Sequence, residues 1–358
     1  MAQKSTGYNF IVSNQLIQRI NKENLDKTRL KSIIKEFSKK KILVIGDLIL
    51  DEYLVGNPSR ISREAPVIIL KYLKSKYKLG GSSNAADNIS TLGAKVTLCG
   101  ILGEDQAAIE FQKLCAENCI ELLAFNEKYK YTTVKTRVVS TSNSNPDAGT
   151  GVQQQVLRID KEENSEISTN TEKVILEKIN DLHDIDLILL SDYSNGVLTQ
   201  KLAVDIIQNA RDRKLKTVVD SNGNFAKFKK AYSLTPNQPD LEKVLQRKIE
   251  NDEDCAQAGT QVLKDLDIEV LLTTRGGKGM CLTDKTSSTF IPAFNLSEVF
   301  DVSGAGDTVA AAYCLSLASG ASPVEAAIIG NLAASIVVKK YGTATTNQDE
   351  LFELIDSI

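Results

Sequence analysis

From residue 42 onward the chain alternates between two patterns. Continuous apolar runs (Ile42-Leu43-Val44-Ile45, Val96-Thr97-Leu98-Cys99, Leu187-Ile188-Leu189-Leu190, Thr217-Val218-Val219 and Val270-Leu271-Leu272) stand between stretches with apolar residues every three or four positions. Those stretches lie at about 81–93, 104–118, 169–182, 199–214 and 252–266. A short run that is apolar throughout reads as a strand buried on both faces, and the longer spacing reads as an amphipathic helix. Their alternation predicts an α/β fold: a doubly wound, mostly parallel sheet with helices on both faces. Ligands on such sheets sit beyond the carboxyl ends of the strands, so the residues after each run are the candidates for function.

Two regions break the alternation. Residues 53–72 and 131–160 are β-rich without intervening helices (Val67-Ile68-Ile69-Leu70, Thr132-Thr133-Val134, Val156-Leu157-Arg158-Ile159) and predict a small antiparallel β-lid outside the main sheet. Residues 141–151, TSNSNPDAGTG, are a loop by composition. Residues 1–40 are polar, with Leu16, Ile20, Leu25, Leu30, Ile33, Ile34 and Phe37 at helical spacing. They predict an N-terminal extension of one or two surface helices ending at the basic run Lys39-Lys40-Lys41.

The 358 residues allow two or three domains at about 150 residues each, or one large α/β unit. With 43 Lys+Arg against 46 Asp+Glu, the net charge is −3, which leaves no basic field for nucleic acid or an anionic membrane. The single histidine, His183, removes most His-based metal sites and Ser/His/Asp hydrolases. No apolar stretch approaches the ~18–20 residues that span a bilayer, and the N-terminus has no signal-like apolar region, so a cytoplasmic location is expected. The six cysteines form no C-x-x-C pair and read as reduced thiols; Cys115 and Cys119 are spaced to share one helix face.

The most informative stretch is Asp301-Val302-Ser303-Gly304-Ala305-Gly306-Asp307-Thr308, followed by an Ala-rich helical run. Glycines at a helix start let the backbone approach a ligand, and the free amides there bind anions. A carboxylate such as Asp307 beside an anion hole suits a base that takes a hydroxyl proton while a phosphoryl group is held nearby. A capped helix with a tight glycine turn is the plainer reading. A second constellation is Gly80-Gly81-Ser82-Ser83-Asn84-Ala85-Ala86, where Asn84 can both donate and accept toward a polyol. A third is Gly46-Asp47 with Asp51, carboxylates past a strand end that can accept sugar hydroxyls.

These stretches resemble the ribokinase-like (PfkB) sugar kinases. GG-x-x-x-N-x-A at 80–86 and D-x-x-GAGD at 301–307 match the two signature regions of that family. VIGDLILDEYLVGNPSRISREAPV (44–67), LLSDYSNGVL (189–198), LTPN (234–237) and KYGTATT (340–346) are similar to its heptose-phosphate members. The resemblance covers about residues 40–355. It implies a kinase domain over 41–358 with a lid over the sugar, ATP and Mg²⁺ as cofactors, a sugar phosphate as partner and a homodimer. The implied reaction is phosphorylation of O1 of D-glycero-D-manno-heptose 7-phosphate, on the route to ADP-heptose, a lipopolysaccharide precursor. A kinase acting on another sugar or nucleoside, and a weakly active sugar-phosphate sensor, are the rival readings. Many heptose enzymes also carry a nucleotidyltransferase domain with an H-x-G-H motif; with one histidine, that second activity is not expected of these 358 residues.

Carried onto this sequence, the resemblance makes Asp307 the base and the 304–306 backbone the anion hole. Asp47, Asp51, Gly80, Gly81, Asn84 and Asp192 would meet the sugar. Its phosphate needs cations, for which Lys135 and Arg137 share one face of a predicted strand. Arg158 stands on the return strand, and Arg60 and Arg63 sit in the SRISRE loop. Asn237, Asp240, Thr274, Gly276, Gly277, Gly279 and Asn331 would hold the nucleotide, with Asp240 at the metal. The sequence departs from the family pattern at Asp240, where glutamate is common, and at Asn195 and Asn222, where heptose kinases tend to have lysine.

Overall fold

A computed structural model of the chain describes residues 26–141, 153–294, 301–340 and 342–357. Residues 1–25, most of the 141–151 loop and Tyr341 of the KYGTATT stretch lie outside them. The main sheet has nine strands: β1 (Lys41–Gly46), β4 (Lys95–Leu102), β5 (Glu121–Asn126), β8 (Leu187–Asp192), β9 (Lys216–Ser221), β10 (Ser233–Leu234), β11 (Val270–Thr274), β12 (Met280–Asp284) and β13 (Ser288–Ile291). Their spatial order is β13-β12-β11-β10-β9-β8-β1-β4-β5. All neighbours are parallel except the β11–β12 and β12–β13 hairpins at one edge.

Alternation along the inner strands builds one core on each face of this sheet. Ile42, Val44, Leu187 and Leu189 point into a core shared with α1 (Lys27–Lys35), α2 (Ser82–Thr91), α3 (Gln106–Glu117), α8 (Ala305–Ala318), α9 (Pro323–Val337) and α10 (Gln348–Ser357). Leu43, Ile45, Ile188 and Leu190 point the other way, toward α4 (Thr169–Asn180), α5 (Gln200–Asp212), α6 (Gln238–Leu245) and α7 (Asp252–Leu266). Helices α8 and α9 are apolar nearly all round and are buried along almost their whole length, as such a pattern requires.

The predicted N-terminal extension differs in its described part. Leu30, Ile33, Ile34 and Phe37 are essentially fully buried, so residues 27–39 close the core beside α10. Cys119 also differs: α3 ends at Glu117, and Cys119 is exposed with φ 56°, off the helix face of Cys115. The remaining five cysteines are buried and all six are free thiols.

A second sheet has the order β3-β2-β6-β7, from β2 (Leu48–Ile61), β3 (Ile68–Gly81), β6 (Thr133–Thr141) and β7 (Gln153–Lys161). The expected antiparallel lid is in fact mixed. β2–β3 and β6–β7 are antiparallel, but the central pair β2–β6 is parallel. The reason is topological: β2 and β6 both leave the carboxyl ends of parallel strands, β1 and β5, and so run the same way. No helix of the described residues is long and apolar enough to cross a membrane.

Candidate active site

The strand order reverses at β1, whose neighbours are β4 on one side and β8 on the other. A crevice opens at such a switch point, and two helix starts meet over it. Helix α2 begins after Gly81 (φ 56°) and α8 after Gly304 (φ 77°), and neither has a side-chain cap. Glycine is required at both places by conformation and by space. A Cβ on Gly304 would lie 2.6 Å from Asn84 Nδ2, and one on Gly81 would lie 2.8 Å from the Asp47 carbonyl oxygen.

This close approach joins the first turns of the two helices. Asn84 Nδ2 donates to Asp307 Oδ2 at 2.6 Å, and the Tyr193 hydroxyl donates to Asp307 Oδ1 at 2.7 Å. Asn88 Nδ2 donates to the Asn84 carbonyl at 2.9 Å, and the Thr308 hydroxyl donates to Asn88 Oδ1 at 2.9 Å. Asp307 is buried, and desolvation pushes its carboxyl up to about 6, against the pull of the Tyr193 and Asn84 hydrogen bonds. The nearby Asp51 charge adds to the rise. A carboxylate near neutrality, held by fixed donors, is suited to accept a hydroxyl proton.

The amides at this turn are distributed differently from expectation. Ala305 N–H donates to Val302 O at 3.2 Å, and Thr308 N–H donates to Gly304 O at 3.0 Å. Among the described residues, the amides of Gly306 and Asp307 have no acceptor, and a Cβ on Gly306 would meet nothing within 4 Å. Within the expected 304–306 backbone, Ala305 is therefore the amide already taken, while those of Gly304, Gly306 and the following Asp307 have no acceptor among the described residues, at the positive end of the α8 dipole.

Beyond Asp307 the smaller sheet presents two rows of side chains, fixed by register. Lys78, Asp51, Lys135 and Asp160 stand opposite one another across β3-β2-β6-β7, and Lys76, Tyr53, Arg137 and Arg158 form the next row. Five cations thus face two carboxylates on one side of the sheet. Arg137 donates to the buried Asp51 Oδ1 at 2.6 Å and lies over the Tyr53 ring. Arg158 forks onto Asp160 at 2.7 and 2.8 Å. Lys135 lies 5.7 Å from the centre of the Tyr193 ring and has no ion pair among the described residues. Gly80 lets Asp51 approach, since a Cβ there would lie 2.8 Å from Asp51 Oδ2.

Two of the expected carboxylates, Asp47 and Asp192, are taken up by other partners, and two expected arginines lie far from Asp307. Both oxygens of Asp47 accept backbone amides, from Tyr193 (2.7 Å), Asn195 (3.2 Å) and Val197 (3.3 Å). Asp192 pairs with Lys227 at 2.8 Å and accepts from Ser221 Oγ and the Ser194 amide. These two carboxylates shape the 193–197 loop, because a buried charge must be paired or hydrogen-bonded. Arg60 and Arg63 are exposed at the far end of the β2–β3 hairpin. Arg60 is nine residues along β2 from Asp51, roughly 30 Å at strand rise.

On the other side of Asp307 the crevice divides in two. An apolar cavity is lined by Thr274, Gly276, Gly277, Gly279 and Asn331 together with Val302, Ala305, Gly306 and Val309. Gly279 (φ 81°) allows the β12 backbone to pass: a Cβ there would lie 2.0 Å from Ile291 O. Asn331 Nδ2 donates to Pro292 O at 2.7 Å, tying α9 to this wall. The adjoining cavity is acidic, with Asp192, Asp220, Asp240 and Asp307, and shares Thr274 and Gly306 with the first. Asn237 caps α6, accepting from the Asp240 amide at 2.8 Å, and so presents Asp240 at the cavity edge. Burial raises the Asp240 carboxyl, and burial together with the Asp307 charge pushes Asp220 up to about 7.

Among the described residues, no three acidic, histidine or cysteine side chains converge enough to hold a metal ion unaided. Mg²⁺ is commonly held by one or two carboxylates with waters and substrate phosphates. The donor set here, carboxylates spread around one cavity and strained by mutual repulsion, fits that kind of binding. Tyr193, Asp220, Lys76 and Lys78 were not singled out from the sequence. Asp220 directly follows the apolar run at 217–219 and Tyr193 stands three residues past the one at 187–190, and this place beyond a strand end is the signal that could have found them.

A buried carboxylate beside free helix-start amides, between a basic sheet face and an apolar pocket, suits a kinase that phosphorylates a hydroxyl. Residues 39–350 match the sequence model of the pfkB family carbohydrate kinases, and the chain belongs to that family. Among curated proteins it is 38% identical over 325 residues to the bifunctional protein HldE of Sulfurimonas denitrificans, covering 90% of this chain and 65% of that one. It is 37% identical to the bifunctional protein HldE of Campylobacter curvus, covering 89% and 66%. The chain therefore spans about two thirds of the length of these relatives. Among solved structures, Escherichia coli phosphofructokinase-2 in complex with potassium superimposes with a TM-score of 0.72 at 17% identity, over 89% of this chain and 98% of that one. Arabidopsis thaliana ribokinase complexed with ribose and ATP gives 0.66 at 17%, over 88% and 98%. The fold is ribokinase-like, a large mostly parallel sheet with helices on both faces and a smaller sheet as lid.

Proposed function

We propose that this chain transfers the γ-phosphoryl group of ATP to a hydroxyl of a phosphorylated sugar, and that the acceptor is O1 of D-glycero-D-manno-heptose 7-phosphate. The observation behind this reading is the position of Asp307 on the seam between two unlike surfaces. The apolar cavity suits an adenine and ribose, with Asn331 and the 276–279 turn along its wall. The acidic cavity suits phosphates with Mg²⁺, which when bound would neutralise developing charge; Asp240 and Asp220 are the groups to hold it. The amides of Gly306 and Asp307 would face the transferred group, and Asp307 would take the acceptor proton. Asn84 and Asp51 would meet sugar hydroxyls.

The basic rows favour a phosphorylated sugar over a plain sugar or nucleoside. Lys135, Arg137 and Lys76 sit where an acceptor's distal phosphate would lie, and an arginine fork suits that group. The identity of the sugar rests on the resemblance of the 44–67 and 189–198 stretches to heptose-phosphate kinases. The natural setting under this reading is the cytoplasm.

The homodimer belongs to the same proposal. Leu157 and Ile159 alternate with Arg158 on β7, so they lie on the face opposite the basic rows, and each is 53% exposed. Leu54 and Val138 extend that face in register with Leu157. Apolar side chains grouped this way mark a contact surface, and a second copy of the chain is its proposed partner. Leu157→Lys with Ile159→Lys should convert a dimer to a monomer in light scattering.

The experiment that tests the activity is a coupled ADP-release assay over C5 to C7 sugars, each with and without a terminal phosphate. Turnover highest with heptose 7-phosphate supports the reading. Turnover on an unphosphorylated sugar alone, or ligand binding without turnover in calorimetry, refutes it.

A further inference from the structure

One side chain touches both halves of the proposed acceptor site. Tyr193 follows β8 directly, and its hydroxyl donates to Asp307 Oδ1 while Lys135 lies over its ring. Its backbone is fixed as well: its amide donates to Asp47 Oδ2, and Asp47 also holds the amides of Asn195 and Val197. Ser194, the next residue, has φ 65°, a left-handed conformation that costs energy for a side chain and persists where surrounding bonds determine it. The buried Asp47 therefore has a task apart from the sugar, which is to set the loop that aims Tyr193.

Building on the kinase reading above, we infer that Tyr193 is the positioning residue of this site. Its phenol fixes the base Asp307, and its ring carries the cation Lys135 that faces the acceptor's phosphate. A carboxylate has room for about four hydrogen bonds. With one donor from Asn84 and one from Tyr193, the Asp307 carboxylate keeps lone pairs for the incoming hydroxyl while both of its oxygens are held in place. The phenol also favours the charged form of Asp307, opposing the burial that raises it. Through the ring, a change in where Lys135 sits changes how the phenol is placed, so phosphate recognition and proton acceptance share one support.

The test measures kcat and KM across pH for Tyr193→Phe and Tyr193→Leu, using heptose 7-phosphate, or whichever acceptor the sugar panel identifies. Tyr193→Phe keeps the ring, so KM for the phosphorylated sugar should stay within about twofold. Loss of a hydrogen bond to a charged group should lower kcat at pH 7 by roughly 10-fold and move the acid limb of kcat/KM upward by about one pH unit. Tyr193→Leu should add a rise in KM for the phosphorylated sugar that is absent for its unphosphorylated analogue. Thermal melts of both variants check folding. A merely structural role would lower kcat equally at all pH values with the limb unmoved, and that result overturns the inference, as does an unchanged Tyr193→Phe enzyme. Failure of the kinase reading shows separately, as no turnover by the parent enzyme with any acceptor of the sugar panel.

Discussion

Asn84 and Asp307 lie 223 residues apart in the chain, yet their side chains meet at 2.6 Å, where the first turns of α2 and α8 face each other. Neither helix has a side-chain cap, and both begin after a glycine with positive φ. The contact exists because those glycines leave room for it. The same absence of caps leaves amides open beside the carboxylate. One local choice of residue thus places both the buried carboxylate and the open amides next to it.

Gly304→Ala tests that dependence. The added methyl would meet Asn84 Nδ2 at 2.6 Å in a backbone conformation that alanine disfavours. The expected outcome is at least a 10-fold loss of kcat together with a lower melting temperature by more than the ~1 kcal/mol of an ordinary substitution. Steady-state kinetics and thermal melts check it. A fully active, equally stable variant would mean that the helix starts do not need their close approach.

The two basic residues of β6 should separate when mutated singly. Lys135 has no ion pair among the described residues, so Lys135→Ala should raise KM for the phosphorylated sugar about 10- to 100-fold and leave its unphosphorylated analogue unchanged. Arg137 is paired with Asp51, whose side chain is only 4% exposed. Removing Arg137 strands that carboxylate, at a cost of about 3–5 kcal/mol, so Arg137→Ala should also melt several degrees lower. Equal loss of affinity for both sugars in Lys135→Ala would show that it does not read phosphate.

Asp220 should make stability depend on pH. Its carboxyl is pushed from 3.8 to about 7 by burial and by the Asp307 charge. Between those values the folded chain keeps a proton that the unfolded chain has released. Stability therefore falls as pH rises from about 4 to about 7, and the full penalty persists above that. Asp220→Asn removes the penalty, so the variant should gain melting temperature relative to the parent at pH 8 and lose that advantage at pH 4. Thermal melts at the two values, without nucleotide or divalent cation, decide it. An advantage that does not change with pH would place the cause outside the titration of Asp220.

Much of this arrangement was legible in the sequence. The apolar runs at 42–45, 96–99, 187–190, 217–219 and 270–272 each fall within a strand of the main sheet, because strands buried on both faces leave little choice of residue. Helix α7 occupies 252–266, as its spacing predicts. The smaller sheet was harder to read. The start of β3 falls in the β-rich 53–72 region, but residues 73–79, LKSKYKL, carry lysines at 74, 76 and 78 and look like surface, so the rest of β3 with Lys76 and Lys78 went unseen. The parallel pairing of β2 with β6 follows from where the strands leave the main sheet, which no local pattern encodes. In the site, Asp307, Gly304, Gly306 and Asn84 stand together as expected. Asp47 and Asp192 organise the 193–197 loop, since strand-end carboxylates serve equally well for that, and only the hydrogen-bond partners tell the two uses apart. Tyr193 escaped notice because its role depends on a carboxylate 114 residues away.

The most direct measurement of the central claim is the turnover of Asp307→Asn with ATP and heptose 7-phosphate at pH 8, with sugar affinity measured alongside by calorimetry. Loss of the base should lower kcat by about 10²–10⁴ and leave the affinity for the sugar phosphate nearly unchanged. In the parent enzyme, the acid limb of kcat/KM should fall near pH 6, where Asp307 gains its proton. A variant that turns over at nearly the parent rate would contradict the account.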